Sequence, residues 1–181
     1  MTRDLKIINQ IYLLQASSGD AEAFGKIFDN LGKSIYRFIL FKVSFRHEVA
    51  EDLTSQVFLK VWEVVADSEA KRIKNLTAFL YQVARNLVID YYRQLGKEEL
   101  PLLYDLPEES ITQNTNIEIL PSEVEKMLSE LSGESREIIW LKYVEGLSVK
   151  EICQIVDKSS GAIRVILHRT KKELKAKITK S

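Results

Sequence analysis

Cysteine, proline and glycine are scarce in this chain of 181 residues, and each shortage excludes a class of structure. The single cysteine, Cys153, excludes an internal disulfide framework. Three prolines and seven glycines are too few for the many tight turns of an all-β sandwich or barrel. No apolar run approaches the roughly 20 residues of a membrane span, and residues 1–15 lack the pattern of a signal peptide. We therefore expect a protein with no membrane span, located by default in the cytoplasm.

Residue sets typical of metal sites and of catalysis are also missing. His47 and His168 are far apart and match no metal-ligand spacing. The sequence contains no glycine-rich phosphate loop, no Ser/His/Asp set and no HExxH motif. The sequence therefore predicts no metal, no cofactor and no enzymatic activity.

The charges cancel over the whole chain but are distributed unevenly along it. Lysine and arginine number 26, as do aspartate and glutamate. Residues 97–130 carry nine acidic and two basic side chains, whereas residues 158–181 carry eight basic and one acidic. One interpretation is a solvated acidic loop and a lysine-rich tail. The other is a basic helix that binds DNA phosphates and follows an acidic linker.

The proline positions divide the chain into two parts. All three prolines lie between residues 100 and 122, in a stretch without helical periodicity. We predict an irregular acidic linker at 96–121, an N-terminal helical domain at 1–95 and a smaller C-terminal helical domain at 122–181.

Apolar residues recur at helical spacing through the N-terminal part, which predicts a helical bundle and an all-α fold. Gly19 and Asp20 end one helix and cap the next. A third helix is expected from about His47 to Ala66, and a fourth from about Asn75 to Gln94, with Asn75 as its N-cap. The first helix is expected to turn one face inward, formed by Leu5, Ile8, Ile11 and Tyr12.

The third helix has more apolar residues than one core face requires. A complete stripe is supplied by Val49, Leu53, Val57, Val61 and Val64. Phe58, Leu59 and Trp62 fall largely outside that stripe, near Asp52. Such a second patch is typical of a partner surface, but another helix of the same domain could equally cover it.

The fourth helix is predicted to have one core face and one face of mixed aromatic and polar residues. The predicted core face consists of Phe79, Leu80, Val83, Leu87 and Tyr91. Rings that stack on bases and amides that read base edges suit single-stranded nucleic acid, although an ordinary polar face remains the alternative. The candidate residues, including a basic loop before the helix, are Lys71, Arg72, Lys74, Asn75, Tyr81, Gln82, Arg85, Asn86, Tyr92 and Arg93.

The C-terminal part contains the most specific pattern, a helix-turn-helix. An apolar helix face ends at Glu145-Gly146, and Ser148 and Glu151 then fit a capping box. A short helix follows, with Cys153 expected toward the core, and a second, basic helix begins at about Ser160. The inward residues of the domain are predicted to be Leu131, Ile138, Leu141, Ile152, Ile155, Val156, Ile163, Leu167 and Leu174.

The second helix of this motif is predicted to enter the DNA major groove. The small first residues of this helix permit close approach to DNA. Arg164 and His168 can then reach the base edges, and the lysines that follow can contact phosphates. A helical hairpin without a DNA partner is the alternative. The candidate residues for duplex DNA are Lys150, Ser159, Ser160, Gly161, Arg164, His168, Arg169, Lys171 and Lys172.

Several of these motifs, in the same order, resemble those of the extracytoplasmic-function (ECF) sigma factors, small RNA polymerase specificity subunits of the sigma-70 superfamily. The first matches are the run from Gly19 to Phe24 and the run from Ala50 to Leu53 with Val57, Phe58, Leu59 and Trp62. Further along, the matches are Ala84 to Leu87 with Asp90, Tyr91 and Arg93, then Tyr143 to Ser148, Glu151, Ile152, Leu167 to Arg169, Lys171 and Lys172.

The resemblance implies a role for each surface. The N-terminal bundle would be sigma region 2 and would hold the −10 promoter element as single-stranded DNA, while the helix-turn-helix, region 4, would read the −35 element as duplex. The acidic linker would thread the polymerase active-site cleft. An anti-sigma factor is an expected partner, and the free chain is expected to be a monomer. The residues expected on the clamp helices of the largest polymerase subunit are Asp52, Leu53, Ser55, Gln56, Phe58, Leu59 and Trp62.

The sequence departs from the family pattern at a few positions. Asp157 and Lys158 stand in the turn where the family has glycine and then an apolar residue, and Val165 and Ile166 stand where it has Ser-Arg. The promoter sequence of relatives therefore does not transfer to this chain.

The predicted linker can connect two promoter elements only when it is stretched. Its 26 or so residues span roughly 85–90 Å when fully extended but about 25–30 Å as a random coil. Elements one and a half to two DNA turns apart lie roughly 50–70 Å from each other. We therefore expect weak promoter binding by the chain alone and tight binding on a polymerase that holds the two domains apart.

A second hypothesis is an autonomous helix-turn-helix regulator with a dimerising or ligand-sensing N-terminal domain. The patch at Phe58 and Trp62 distinguishes the two hypotheses. In a sigma factor it would bind RNA polymerase, whereas in an autonomous regulator it would bind a ligand or a second copy of the chain.

Overall fold

The computed structural model describes residues 3–67, 73–96, 128 and 131–178, and these residues form helices and turns without a strand. The chain divides into two compact units, Met1–Glu99 and Leu100–Ser181. The predicted linker lies, apart from Gly96, outside the described residues, so its boundaries stay a prediction. Within the described part, no helix is both long enough and apolar enough to cross a membrane.

The described residues of the N-terminal unit form a bundle of four helices in which α2 packs against each of the others. The helices are α1 (Arg3–Ala16), α2 (Ala21–Lys42), α3 (His47–Ala66) and α4 (Leu76–Gln94). These bounds confirm the all-α fold and the predicted ends of the third and fourth helices.

The starts of α2 and α4 are fixed by side-chain caps of the predicted kind. Asp20 Oδ1 accepts a hydrogen bond from the backbone N–H of Ala23 at 3.0 Å. Asn75 Oδ1 accepts one from Ala78 N–H at 3.1 Å. Each cap satisfies one of the backbone donors that the first turn of a helix leaves without an intrahelical acceptor.

The predicted inward face of α1 is wrong for two of its four residues. Ile8 is 40% exposed and Ile11 49% exposed. The buried residues lie on the other side of the helix, where Asn9 Oδ1 accepts a hydrogen bond from Asn30 Nδ2 of α2 at 2.8 Å. Because α1 carries apolar residues on both sides, spacing alone does not show which side faces the bundle.

The C-terminal unit contains α5 (Gly133–Ile139), α6 (Val149–Val156) and α7 (Ser160–Ile178), and α5 continues into a π-helical turn, Trp140–Val144. Trp140 is fully buried, and its Nε1 donates to Glu145 Oε1 at 2.9 Å. The buried Arg136 donates hydrogen bonds to the carbonyl oxygens of Leu128 and Leu131 at 2.9 and 2.8 Å. In the described part of the unit, aliphatic residues of α5, the π-helical turn, α6 and α7 complete the core, among them Ile138, Leu141, Ile152, Ile155 and Ile163.

Candidate nucleic-acid interface

The helix-turn-helix is built as the sequence predicts. Ser148 Oγ accepts from the backbone N–H of Glu151, and Glu151 Oε2 accepts from Ser148 N–H at 2.9 Å, which completes the capping box at the start of α6. Ser159 Oγ accepts from Ala162 N–H at 3.2 Å and caps α7 in the same way. Cys153 is only half-buried, so the expectation that it lies in the core holds in part.

The turn between α6 and α7 accommodates the two residues that depart from the family pattern. Asp157 has φ 52° and ψ 52°, the left-handed conformation that usually requires glycine and that aspartate tolerates better than most residues. Lys158 is half-buried, and its Nζ lies 2.7 Å from Glu134 Oε1 of α5. An ion pair therefore occupies the position at which the family places an apolar contact.

One face of α7 points away from the core and is free of acidic residues. Ile163 and Thr170 are buried on the opposite side of the helix. All nine residues predicted to contact duplex DNA are exposed. At 100° per residue, the outward face is formed by Gly161, Arg164, Val165, His168, Lys172 and Lys175.

The second candidate surface, on α3, differs from the prediction at its aromatic residues. Phe58 is 5% exposed, because the rings of Phe24 and Phe28 from α2 cover it at centroid distances of 6.4 and 4.8 Å. Trp62 is half-buried, with its ring 5.0 Å from that of Phe24. Phe58 is therefore a core residue, which is the second of the two interpretations that the spacing left open. Leu53, which the pattern placed in the core stripe as well as on the polymerase surface, is 5% exposed.

The exposed residues of α3 form a band beside that aromatic cluster. Leu59 is 58% exposed, and Asp52, Ser55 and Gln56 are exposed along the same side of the helix. Phe28 of α2 is 48% exposed at the border of the cluster. We call Asp52, Ser55, Gln56 and Leu59 the α3 band.

The predicted nucleic-acid face of α4 is wrong for its two tyrosines. Tyr81 is 2% exposed, with its ring 5.2 Å from that of Phe38 in α2. Tyr92 is 1% exposed, and its hydroxyl donates to the carbonyl oxygen of Lys42 at 3.3 Å. Compared with the predicted core face of α4, the buried face is rotated about the helix axis toward these tyrosines, because α2 and α3 both pack against the helix.

Arg46 connects the turn before α3 to the C-terminal end of α4. Its guanidinium donates to the hydroxyls of Tyr91 and Tyr92 at 3.0 and 3.1 Å and lies over both rings, 5.3 and 5.7 Å from their centroids. Burial raises the pKa of the Tyr92 phenol, although the hydrogen bond and positive charge of Arg46 oppose the change.

The exposed side of α4 presents amides, a cation and one ring. Gln82, Asn86 and Arg93 are exposed along one side of the helix. Arg93 Nη1 lies 3.5 Å from Oδ1 of Asp90. Phe79, which the spacing assigned to the core, is half-buried on this same side. Lys74 is exposed just before the helix, Asn75 and Arg85 are half-buried, and Lys71 and Arg72 lie outside the described residues.

Two family models match the chain, one in each unit. The model described as Sigma-70 region 2 matches residues 29–98. The model described as Sigma-70, region 4 matches residues 122–174. The first match contains α3 and α4, and the second contains α5, α6 and most of α7.

The chain belongs to the ECF group of the sigma-70 family. Sigma factors of this group are transcription initiation factors rather than enzymes. The predicted region 2 and region 4 assignments of the two units are thereby confirmed.

Curated relatives support this sigma factor assignment over most of the chain. The ECF RNA polymerase sigma factor BldN of Streptomyces coelicolor is 28% identical over 169 residues, which is 88% of this chain but 62% of BldN. The ECF sigma factor SigM of Bacillus subtilis is 29% identical, over 83% of this chain and 92% of SigM.

Two solved structures share the fold of this sigma factor. CnrH, determined in complex with the cytosolic domain of CnrY, matches with a TM-score of 0.69 and 21% identity, over 96% of this chain and 99% of CnrH. RpoE of Bartonella quintana, determined with the anti-sigma factor NepR, matches with a TM-score of 0.63 and 21% identity, over 86% of this chain and 96% of RpoE.

Proposed function

We propose that this sigma factor docks on core RNA polymerase through the α3 band, holds the −10 promoter element as single-stranded DNA on the exposed side of α4, and reads the −35 element as duplex with α7. The observation that carries the proposal is the outward face of α7, which combines a helix start without bulky side chains, exposed cations and no carboxylate.

The fit of α7 to duplex DNA is electrostatic and geometric. A helix of 19 residues enters a major groove about 12 Å wide, and its N-terminal turns approach the base edges. Arg164 and His168 lie in those turns, while Lys171 and Lys172 follow further along the helix, where they reach phosphates.

Polymerase docking is assigned to the α3 band because it combines an exposed apolar residue with a carboxylate and neutral polar groups. Leu59 supplies the apolar contact, and Phe28 extends it across the neighbouring helix. The resemblance assigns the corresponding helix of the family to the clamp helices of the largest polymerase subunit. Because Phe58 is buried within the bundle, it packs beneath the α3 band and does not contact the polymerase.

Single-stranded DNA is assigned to the exposed side of α4. The amides of Gln82 and Asn86 can donate to and accept from base edges, and Arg93 supplies a cation for the backbone. Phe79 takes the stacking role that was predicted for Tyr81 and Tyr92, because among the described residues it is the aromatic side chain that is partly exposed on this side of α4. The prediction that an acidic linker threads the polymerase cleft concerns residues outside the described part of the chain.

Transcription in vitro tests the proposal. Core RNA polymerase alone and core with the purified chain are supplied with sheared genomic DNA, and run-off products are mapped. We expect discrete start sites only when the chain is present. Random initiation that is unchanged by the chain would contradict the proposal.

A charge variant then tests the role of α7. Lys172→Ala should weaken binding of the holoenzyme to all promoters. It should also make the negative slope of log affinity against log salt concentration shallower by about 0.9. Lys33→Ala, which removes an exposed lysine of α2 outside the three surfaces, should leave both quantities unchanged. Equal slopes for all three proteins would exclude Lys172 from the DNA interface.

Two further expectations belong to this proposal. The chain would act in the cytoplasm, where polymerase and DNA are located. An anti-sigma factor would cover the α3 band or the outward face of α7. RpoE of Bartonella quintana, a protein of the same fold, was determined in complex with the anti-sigma factor NepR.

A further inference from the structure

Val165 is an aliphatic residue on a face that is otherwise polar. It is 48% exposed, whereas Ile163, two residues earlier, is fully buried. Its neighbours three and four residues away on the helix are Gly161, Ala162, His168 and Arg169, all of them exposed. The position of Val165 is therefore not explained by packing within the described part of the unit.

Gly161 leaves the side chain of Val165 open toward the start of the helix. Side chains of a helix lean toward its N-terminus, so Val165 leans over the position four residues earlier. Among the described residues, a Cβ at Gly161 would meet only Ser159 Oγ, at 3.9 Å, so packing in this part of the chain does not require glycine there. Glycine is less favourable than alanine within a helix by about 1 kcal/mol. What glycine at this position provides is space for another molecule to approach the backbone closely.

The chemistry of the major groove supplies a matching group. Among the base edges exposed there, only thymine presents a methyl group, and aliphatic side chains recognise thymine by contact with it. Arg164 and His168 flank Val165 with polar groups for the neighbouring bases. We propose that Val165 reads the C5 methyl group of one thymine in the −35 element and is a specificity-determining residue of this sigma factor.

This inference rests on the proposed function, because it requires that α7 enters the groove of the −35 element. It commits to one position of the helix and to one atom group of the DNA. It therefore predicts a sequence preference that phosphate contacts cannot produce.

Deoxyuridine provides the test, because it differs from thymidine only in lacking the C5 methyl group. A promoter fragment at which the holoenzyme initiates is first recovered by run-off transcription of genomic DNA. Each thymine of its upstream element is then replaced in turn by deoxyuridine. The affinity of each duplex is measured for holoenzyme formed with the wild-type chain, with Val165→Ala and with Leu14→Ala.

At one position, deoxyuridine should weaken binding of the wild-type holoenzyme by about three- to fivefold, the effect of losing one buried methyl contact. Val165→Ala should bind the thymine duplex more weakly by a similar factor and should not distinguish the two bases. Leu14→Ala, a truncation of an aliphatic residue of α1 that is 51% exposed, should respond to deoxyuridine as the wild type does.

Two results would overturn the inference. One is a wild-type holoenzyme that initiates but responds to deoxyuridine at no upstream position. The other is a Val165→Ala holoenzyme that responds as strongly as the wild type at the same position. In both cases initiation itself persists, so the proposed function would stand, whereas absence of chain-dependent initiation would overturn the proposed function together with this inference.

Discussion

Tyr92 Oη lies 3.1 Å from a guanidinium nitrogen of Arg46 and 3.3 Å from the carbonyl oxygen of Lys42, which connects the end of α4 to the turn between α2 and α3. That turn contains two consecutive left-handed residues, Ser44 and Phe45, at φ 57° and 58°. The phenol hydroxyl therefore links a conformationally costly turn to the helix that carries the proposed single-strand surface.

Tyr92→Phe should lower the free energy of unfolding of the N-terminal unit by about 1–3 kcal/mol, because it leaves a half-buried guanidinium donor and a carbonyl acceptor without the hydroxyl. Urea unfolding followed by circular dichroism measures the change. Tyr91→Phe, at a half-buried hydroxyl bonded to the same Arg46, should cost less. Equal stability of wild type and Tyr92→Phe would contradict the importance of this link.

The same link predicts a loss of stability at alkaline pH. Burial raises the pKa of Tyr92 above its ordinary value of 10.0, so the folded unit keeps the proton longer than the unfolded chain. Its contribution is complete below pH 10 and is lost as the pH rises through the higher folded pKa. Tyr92→Phe should show a smaller decline over that range, with the decline that remains including Tyr36, whose pKa is also raised by burial.

Phe58 and Leu59 should respond in opposite ways to truncation. Phe58→Ala should destabilise the bundle by about 3–5 kcal/mol, because it empties a site enclosed by Phe24 and Phe28. Leu59→Ala should leave stability almost unchanged and weaken binding to core polymerase, measured by fluorescence anisotropy of the labelled chain. Normal polymerase affinity of Leu59→Ala would exclude Leu59 from the docking surface.

Asn86→Ala should reduce promoter melting without destabilising the fold. Loss of one amide contact to a base corresponds to about 1 kcal/mol, or roughly fivefold less open complex. Permanganate reactivity of thymines in the −10 element measures the melted fraction. Gln94→Ala, at the exposed last residue of α4, serves as the control and should melt promoters as the wild type does. Wild-type melting by Asn86→Ala would remove this residue from the interface.

Gly161→Ala should separate stability from DNA binding. The added methyl group should stabilise α7 by up to about 1 kcal/mol and should weaken binding to the −35 element several-fold, since it fills the space that DNA approaches. Gly25→Ala is the matched control, because a Cβ at this exposed position of α2 would meet no described atom within 4 Å. It should raise thermal stability without affecting DNA binding. Unchanged DNA affinity of Gly161→Ala would show that α7 does not approach DNA at its first turn.

Much of the fold followed from local chemistry in the sequence. The caps at Asp20 and Asn75 and the box formed by Ser148 and Glu151 act within three or four residues, so their spacing alone specifies them. The exposed residues of α7 were predictable for a similar reason. The predicted apolar stripe of that helix consists of Ile163, Leu167 and Leu174, and its basic residues lie outside this stripe.

The buried faces of α1, α3 and α4 were harder to predict, because each of these helices carries apolar residues on more than one side. Tyr92 is buried against partners 46 and 50 residues away in the sequence, Arg46 and the Lys42 carbonyl, which no local pattern reveals. Phe58 is covered by rings of α2 for the same reason. In each case a tertiary contact decides between two faces that periodicity leaves equivalent.

The central claim is that the two units select promoters as parts of RNA polymerase, and a comparison of binding affinities tests it most directly. Binding to one promoter duplex is measured for the chain alone, for core polymerase alone and for the two together. The combined enzyme should bind more tightly than either component by about a hundredfold or more, because polymerase holds both DNA-binding surfaces at the required separation. A chain that binds the promoter equally well with and without polymerase would contradict the account.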